Sequence, residues 1–198
     1  MATVAAAVPQ NPVQRYSGVA VAFHWITAAA VIFQLWLGFS MGDEGPPAEP
    51  TFTWHKTVGA LILFLTLARL TYRLSNPPPP FPDDISKWER VAAVWNHRLF
   101  YLLLLGLPIG GYLAVSAFQQ GKPIMLLGGI PLPTVPGIPK SMGEVFGGMH
   151  EVAAFALIAL MAVHVAAALK HRFIDKAPSS GRMPPLTLPH EETVVGQG

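Results

Sequence analysis

Four long apolar blocks, separated by polar or proline-rich stretches, set the pattern of the chain. They cover about 18–41, 53–74, 97–118 and 147–171, each near the roughly 20 residues that a helix needs to cross a bilayer. No stretch alternates apolar and polar residues as a strand does, and no internal repeat is visible. The pattern predicts an all-α, integral membrane four-helix bundle over 18–172, with flexible tails at 1–17 and 173–198. The connections differ in kind. The first, GDEGPPAEP, is acidic and short. The second opens with NPPPPFPDD, whose prolines favour an extended spacer. It is followed by a predicted short interfacial helix from Ile85 to Trp95, with Trp88 and Trp95 at headgroup depth. Residues 119–143 are too broken by Pro and Gly to span and too apolar for an exposed loop, so they are expected to lie on the bundle as a cap. Pro108, Gly110 and Gly111 inside the third block predict a kink or the close approach of something flat.

Composition agrees: 52% of the 198 residues are hydrophobic and 12% charged, against about 25% charged in ordinary soluble domains. The chain has no cysteine, which excludes disulfides, thiol catalysis, cysteine-ligated iron–sulfur clusters and c-type haem attachment. A net charge of +2 gives no reason to expect a nucleic-acid partner. No basic region precedes an apolar core in the first 18 residues, so the first block is read as a retained span and not as a signal peptide. Lys and Arg fall unevenly about the four blocks. Ten lie on the side of the two termini and the 75–96 connection, and three (Lys56, Lys122 and Lys140) on the other. The positive-inside rule then places both termini in the cytoplasm and the 119–143 cap outside.

The candidate chemistry is histidine. The fourth block reads MHEVAAFALIALMAVHVAAALKHR from Met149 to Arg172 and holds His150 and His164, fourteen residues apart. Fourteen residues are nearly four turns, so both rings leave one face, about 21 Å apart along the axis. Ionisable groups in a span are costly and point to function. With the predicted helix directions, His24 lies at the inner depth and His55 at the outer, giving two depth-matched pairs: His55 with His150, and His24 with His164. Two axial imidazoles at each of two levels suit two flat metal macrocycles. Arg69 follows His55 by fourteen residues, on the same face at the inner depth, where a guanidinium could meet a macrocycle's carboxylates. Gly59, one turn after His55, either leaves room for a ring or serves helix packing. His97 is a rival inner ligand or lines a polar pocket there. Lys170 and His171 are basic headgroup anchors or quinone contacts, and Lys56 stands next to the outer pair.

The blocks RYSGVAVAFHW, WHKTVGALILFLTLARLTYRL, HRLFYLLLLGLPIGGYL, GKPIMLLGGIPLP and MHEVAAFALIALMAVHVAAAL, in that order, resemble bacterial cytochrome b561, a group related to the cytochrome b subunits of nickel–iron hydrogenases and formate dehydrogenases. The resemblance covers roughly Arg15 to Arg172. It implies a bundle binding two b-type haems through His24, His55, His150 and His164, in the bacterial inner membrane. It further implies electron transfer between a quinone and a second redox partner, which is a partner subunit or a small periplasmic donor such as superoxide. Two other readings stay open: a membrane anchor of a larger dehydrogenase or hydrogenase, and a histidine-using metal or proton transporter. Membrane lipid is the surrounding partner, and a homodimer is compatible with the chain.

Overall fold

A computed structural model describes residues 15–41, 49–81, 85–176 and 182–183. The acidic loop over 42–48, the stretch 82–84 and most of both tails lie outside the described residues. Four helices carry the fold: α1 (Gly18–Phe39), α2 (Glu49–Ser75), α3 (Lys87–Gln119) and α4 (Ser141–Leu169). All four are long and apolar enough to cross a membrane. A helix satisfies its backbone polar groups internally, which is why such blocks are helical where no water is available. Large apolar side chains such as Ile32, Phe64, Leu102 and Val152 stay on the outside of the bundle, facing where lipid would be.

The helices run alternately, so one end of the bundle holds the start of α1 and the end of α4. We call it the terminal end, and the opposite one the cap end. At the terminal end, the Ser17 hydroxyl accepts from the Ala20 amide and lies 2.9 Å from the Tyr72 hydroxyl, joining the start of α1 to the end of α2. Arg182 folds back there, its guanidinium over the Tyr16 ring.

Three stretches differ from the sequence expectation. The interfacial helix predicted over Ile85–Trp95 is not separate: it forms the first turns of α3. Ser86 and Glu89 make a capping box at its start, and no Gly or Pro intervenes before Gly106 to end it. Helix α4 begins at Ser141, earlier than the predicted 147, although Gly143, Gly147 and Gly148 weaken the local signal. Packing overrides propensity here, because a Cβ on Gly143 would stand 2.8 Å from the Phe118 ring. Finally, a two-residue hairpin pairs β1 (Ile124–Met125) with β2 (Pro131–Leu132), too short to show alternation in sequence. Its turn uses Gly128 and Gly129 at φ +73° and +72°, which glycine adopts without strain.

That hairpin belongs to the 119–143 segment, which lies on the bundle. The Leu127 amide donates to Thr57 Oγ1 at 3.0 Å, the Tyr112 hydroxyl to the Pro133 carbonyl at 2.6 Å, and the Val135 amide to Ser116 Oγ at 3.3 Å.

Inside the bundle the four helices share one register. Val31, Ile62, Leu104 and Leu157 each stand seven residues after a histidine of their own helix: His24, His55, His97 and His150. All four belong to the buried core, at most 7% exposed. Seven residues further come Gly38, Arg69, Gly111 and His164. Seven residues are within about 20° of two full turns, so each triplet lines one face. Three layers result, about 10 Å apart. His24, Arg69, His97 and His164 form the terminal layer. Val31, Ile62, Leu104 and Leu157 form the middle. Gly38, His55, Gly111 and His150 form the cap layer.

Candidate haem sites

The cap layer brings His55 and His150 together. Their ring centroids are 6.0 Å apart, with ring planes at 71°. Each ring stands against a glycine of a third helix. A Cβ on Gly38 would lie 3.6 Å from His55 Cε1, and one on Gly111 would lie 3.2 Å from the His150 ring. A Cβ at Gly111 would require the ring to shift by a few tenths of an ångström, and a longer side chain by more. His150 Nδ1 is 2.9 Å from the Leu107 carbonyl. A carbonyl only accepts, so His150 carries its proton on Nδ1 and leaves Nε2 as a free electron-pair donor. His55 Nδ1 is buried and has no hydrogen-bond partner, whereas its carbonyl accepts from Gln34 Nε2 at 3.0 Å. The Gln34 amide also fills the space beside Gly59, 3.3 Å from where a Cβ would sit, so that glycine serves contact between α1 and α2 and makes no room for a ring.

The terminal layer gathers four polar side chains, one from each helix. His24 and His164 have centroids 6.2 Å apart, with planes at 53°. His97 is also 6.2 Å from His164, and Phe100 meets His164 edge-on at 5.3 Å. Arg69 Nη2 lies 3.4 Å from His24 Nδ1. Arginine only donates, so this contact puts a lone pair of His24 on Nδ1.

Two imidazoles on opposite sides of one metal atom have centroids about 6 Å apart, from a metal–nitrogen bond of about 2 Å and about 1.1 Å from nitrogen to ring centre on each side. Both pairs have that spacing. The backbones leave space as well. Helix pairs α1–α2, α2–α3 and α3–α4 pack closely, and α4 makes no comparable approach to α1 or α2 among the described residues. The pairs His55–His150 and His24–His164 bridge α2–α4 and α1–α4, two of the three helix pairs that do not pack closely; α1–α3 is the third. The fit to a flat macrocycle thus rests on ring spacing, on the separated helix pairs, on the orphaned His55 Nδ1 and on the tight contact of His150 with Gly111. His97–His164 has the spacing but spans α3–α4, where the backbones are already in contact.

Other residues singled out in the sequence lie apart from the pairs. Lys56 follows His55 but turns its ammonium to the Phe52 ring, at 4.6 Å. Lys170 joins Glu89 at 3.0 Å and Asp175 at 2.7 Å, and His171 Nδ1 lies 2.9 Å from Asp175. This network ties the start of α3 to a π-helical turn after α4, Lys170–Ile174. Hydrogen bonding from Lys170 holds the Asp175 carboxyl below its usual range. Sequence reasoning missed Gly38 as a neighbour of the His55 ring and Leu107 as a backbone partner of His150. The recurring seven-residue interval would have found Gly38.

The family model of prokaryotic cytochrome b561 matches residues 15–185. Cytochrome b561 homolog 2 of Escherichia coli (strain K12) is 34% identical over 178 residues, covering 87% of this chain and 93% of its own length. Cytochrome b561 homolog 1 of the same organism is 30% identical over 181 residues, covering 86% and 97%. A probable superoxide oxidase, CybB, of Yersinia pestis is 25% identical over 174 residues, covering 87% and 97%. With four membrane-length helices and this match along most of its length, the chain belongs to the prokaryotic cytochrome b561 family, multi-pass inner-membrane electron-transfer proteins that carry haem b.

Proposed function

We propose that the chain passes electrons through the membrane by way of two b-type haems, one held by His55 and His150 at the cap end and one by His24 and His164 at the terminal end. The observation that carries this reading is the pair of imidazole couples at metal-sharing distance, separated by one apolar layer. Bound haem supplies one-electron chemistry at a potential that its surroundings tune. The chain would supply the ligand nitrogens of His24, His55, His150 and His164, an interior of low dielectric and the orientation of each imidazole. Val31, Ile62, Leu104 and Leu157 close the middle of the bundle to water.

Arg69 has a defined part in this arrangement. For His24 to present Nε2 to iron, its proton must sit on Nδ1, which no longer accepts from the guanidinium. Arg69 is then free to pair with a carboxylate of the group beside it, in the bidentate geometry guanidinium favours. A fixed cation near the terminal-end haem favours its reduced form. Arg69→Leu is therefore expected to lower that haem's midpoint potential by about 59 mV, a tenfold change for one electron, and to leave the other near its wild-type value. Potentiometric titration checks this, and equal shifts in both haems would remove Arg69 from the site.

The terminal end collects ten of the thirteen Lys and Arg residues, which supports a cytoplasmic location for both termini. The cap end then faces the periplasm, with Lys56, Lys122 and Lys140 as its cations. Superoxide is an anion that such cations attract, and one relative bears the name of a superoxide oxidase. We read the reaction as superoxide:quinone oxidoreduction. Two superoxide anions give one electron each at the cap end and leave as dioxygen. A quinone takes both electrons and two protons, with His97, Lys170 and His171 the candidate contacts. In proteoliposomes containing ubiquinone, superoxide generated outside is expected to reduce the haem bands and form quinol. Reduction no faster than in protein-free liposomes, together with stoichiometric copurification of a dehydrogenase subunit, would favour the membrane-anchor reading instead.

A further inference from the structure

The two ends of the bundle treat their α4 histidine differently, and His97 is the difference. Facing His150, α3 offers Gly111 and the carbonyl of Leu107, and His150 donates its Nδ1 proton to that carbonyl. Facing His164, α3 offers a second imidazole. Among the described residues, the aromatic rings beside His164 are those of His24, His97 and Phe100. His24 stands across the α1–α4 gap, as the opposite ligand. Phe100 offers no lone pair, and Arg69 can only donate. A metal-ligating histidine nearly always donates its other ring N–H to an acceptor, which fixes its tautomer and strengthens it as a donor. His97 has a nitrogen able to accept. It is not placed as a ligand, because α3 and α4 pack closely whereas α1 and α4 do not. At a centroid separation of 6.2 Å, the nearest nitrogens of two imidazoles are no closer than about 4 Å, too far for a direct hydrogen bond, so a bridging water is needed to join them.

We propose that His97 is the positioning residue of the terminal-end site: its imidazole accepts, through one water, the Nδ1 proton of His164 and so holds His164 Nε2 toward iron. This rests on His24 and His164 being a haem pair. The acceptor differs in kind from the peptide carbonyl that serves His150, so the two ends tune their ligands separately.

The test uses the purified haem-loaded protein, with His97→Phe, which removes the acceptor, and His97→Gln, which keeps one. Electron paramagnetic resonance of the oxidised protein and a redox titration are read together, and the terminal-end signal is identified as the one lost in His24→Ala. Both His97 variants are expected to keep two haems per chain. His97→Phe should shift the g-values of the terminal-end signal and raise its midpoint about tenfold in the oxidised-to-reduced ratio, because His164 becomes a weaker donor. His97→Gln should restore both properties, and the cap-end signal should not move in either variant. Wild-type g-values and potentials in His97→Phe would overturn the proposal. So would equal shifts in the Phe and Gln variants, which would mark a packing effect. Loss of one haem in both variants would make His97 a ligand. A single haem in the wild type would instead overturn the underlying two-haem reading.

Discussion

His55→Ala and His150→Ala are each expected to remove the cap-end haem and leave the other, taking the haem content from two per chain to one. His24→Ala and His164→Ala should do the same at the terminal end. The expectation is this sharp because of the layering. The two pairs stand about 20 Å apart along the bundle axis, with the packed residues Val31, Ile62, Leu104 and Leu157 between them. Mutations that far apart with no shared partner act independently. Truncating either imidazole of a proposed pair would leave a haem there with one protein ligand in place of two. The measurement is haem quantitation on each purified variant. If each of the four variants kept both haems, or if His55→Ala and His164→Ala removed the same one, the pairing would be wrong.

Gly111→Leu is expected to strip the cap-end haem without altering a ligand. A Cβ at position 111 already lies 3.2 Å from two atoms of the His150 ring, so the rest of a leucine side chain must displace that ring. Its hydrogen bond to Leu107 is then lost along with its aim. Disturbing the partners that orient a metal ligand costs roughly 10- to 100-fold in affinity. The helix itself cannot be blamed: leucine is a better helix former than glycine by nearly 1 kcal/mol. Gly111→Ala, which adds only the Cβ, should keep the haem with an altered spectrum. Haem titration of the haem-free variants checks both, and unchanged occupancy in Gly111→Leu would show that His150 does not depend on this cradle.

Much of this architecture is legible in the sequence, for physical reasons. Spanning helices announce themselves by length and apolarity, since bilayer thickness dictates both. The fourteen-residue interval between His150 and His164, and between His55 and Arg69, places those side chains on shared faces, and the structure brings each into the expected layer. Ends are harder to read. Gly143, Gly147 and Gly148 weaken the helix signal at the start of α4, and only the contact of Gly143 with Phe118 reveals why glycine stands there. The continuity of α3 through Trp95 and His97 depends on a cap at Ser86, which a reading focused on apolar runs passes over. The glycines beside the two cap-layer rings are invisible as chemistry, because a glycine carries no group to notice. They emerge once His24, Val31 and Gly38 are seen to repeat the interval of His97, Leu104 and Gly111. The hydrogen bond from His150 to Leu107 involves a backbone carbonyl, which no sequence pattern encodes. The proposal of His24 over His97 as the partner of His164 turns on which helices touch, and that is a property of the assembled bundle alone.

As proposed, the protein holds two haems in one four-helix chain, each between two histidines. The most direct measurement of this is a pyridine haemochrome assay on the purified wild-type protein, combined with a potentiometric titration of the reduced-minus-oxidised spectrum. Two haem b per chain, resolving into two one-electron components, is the expected result. One haem per chain, or a single component at any potential with half that content, would contradict it.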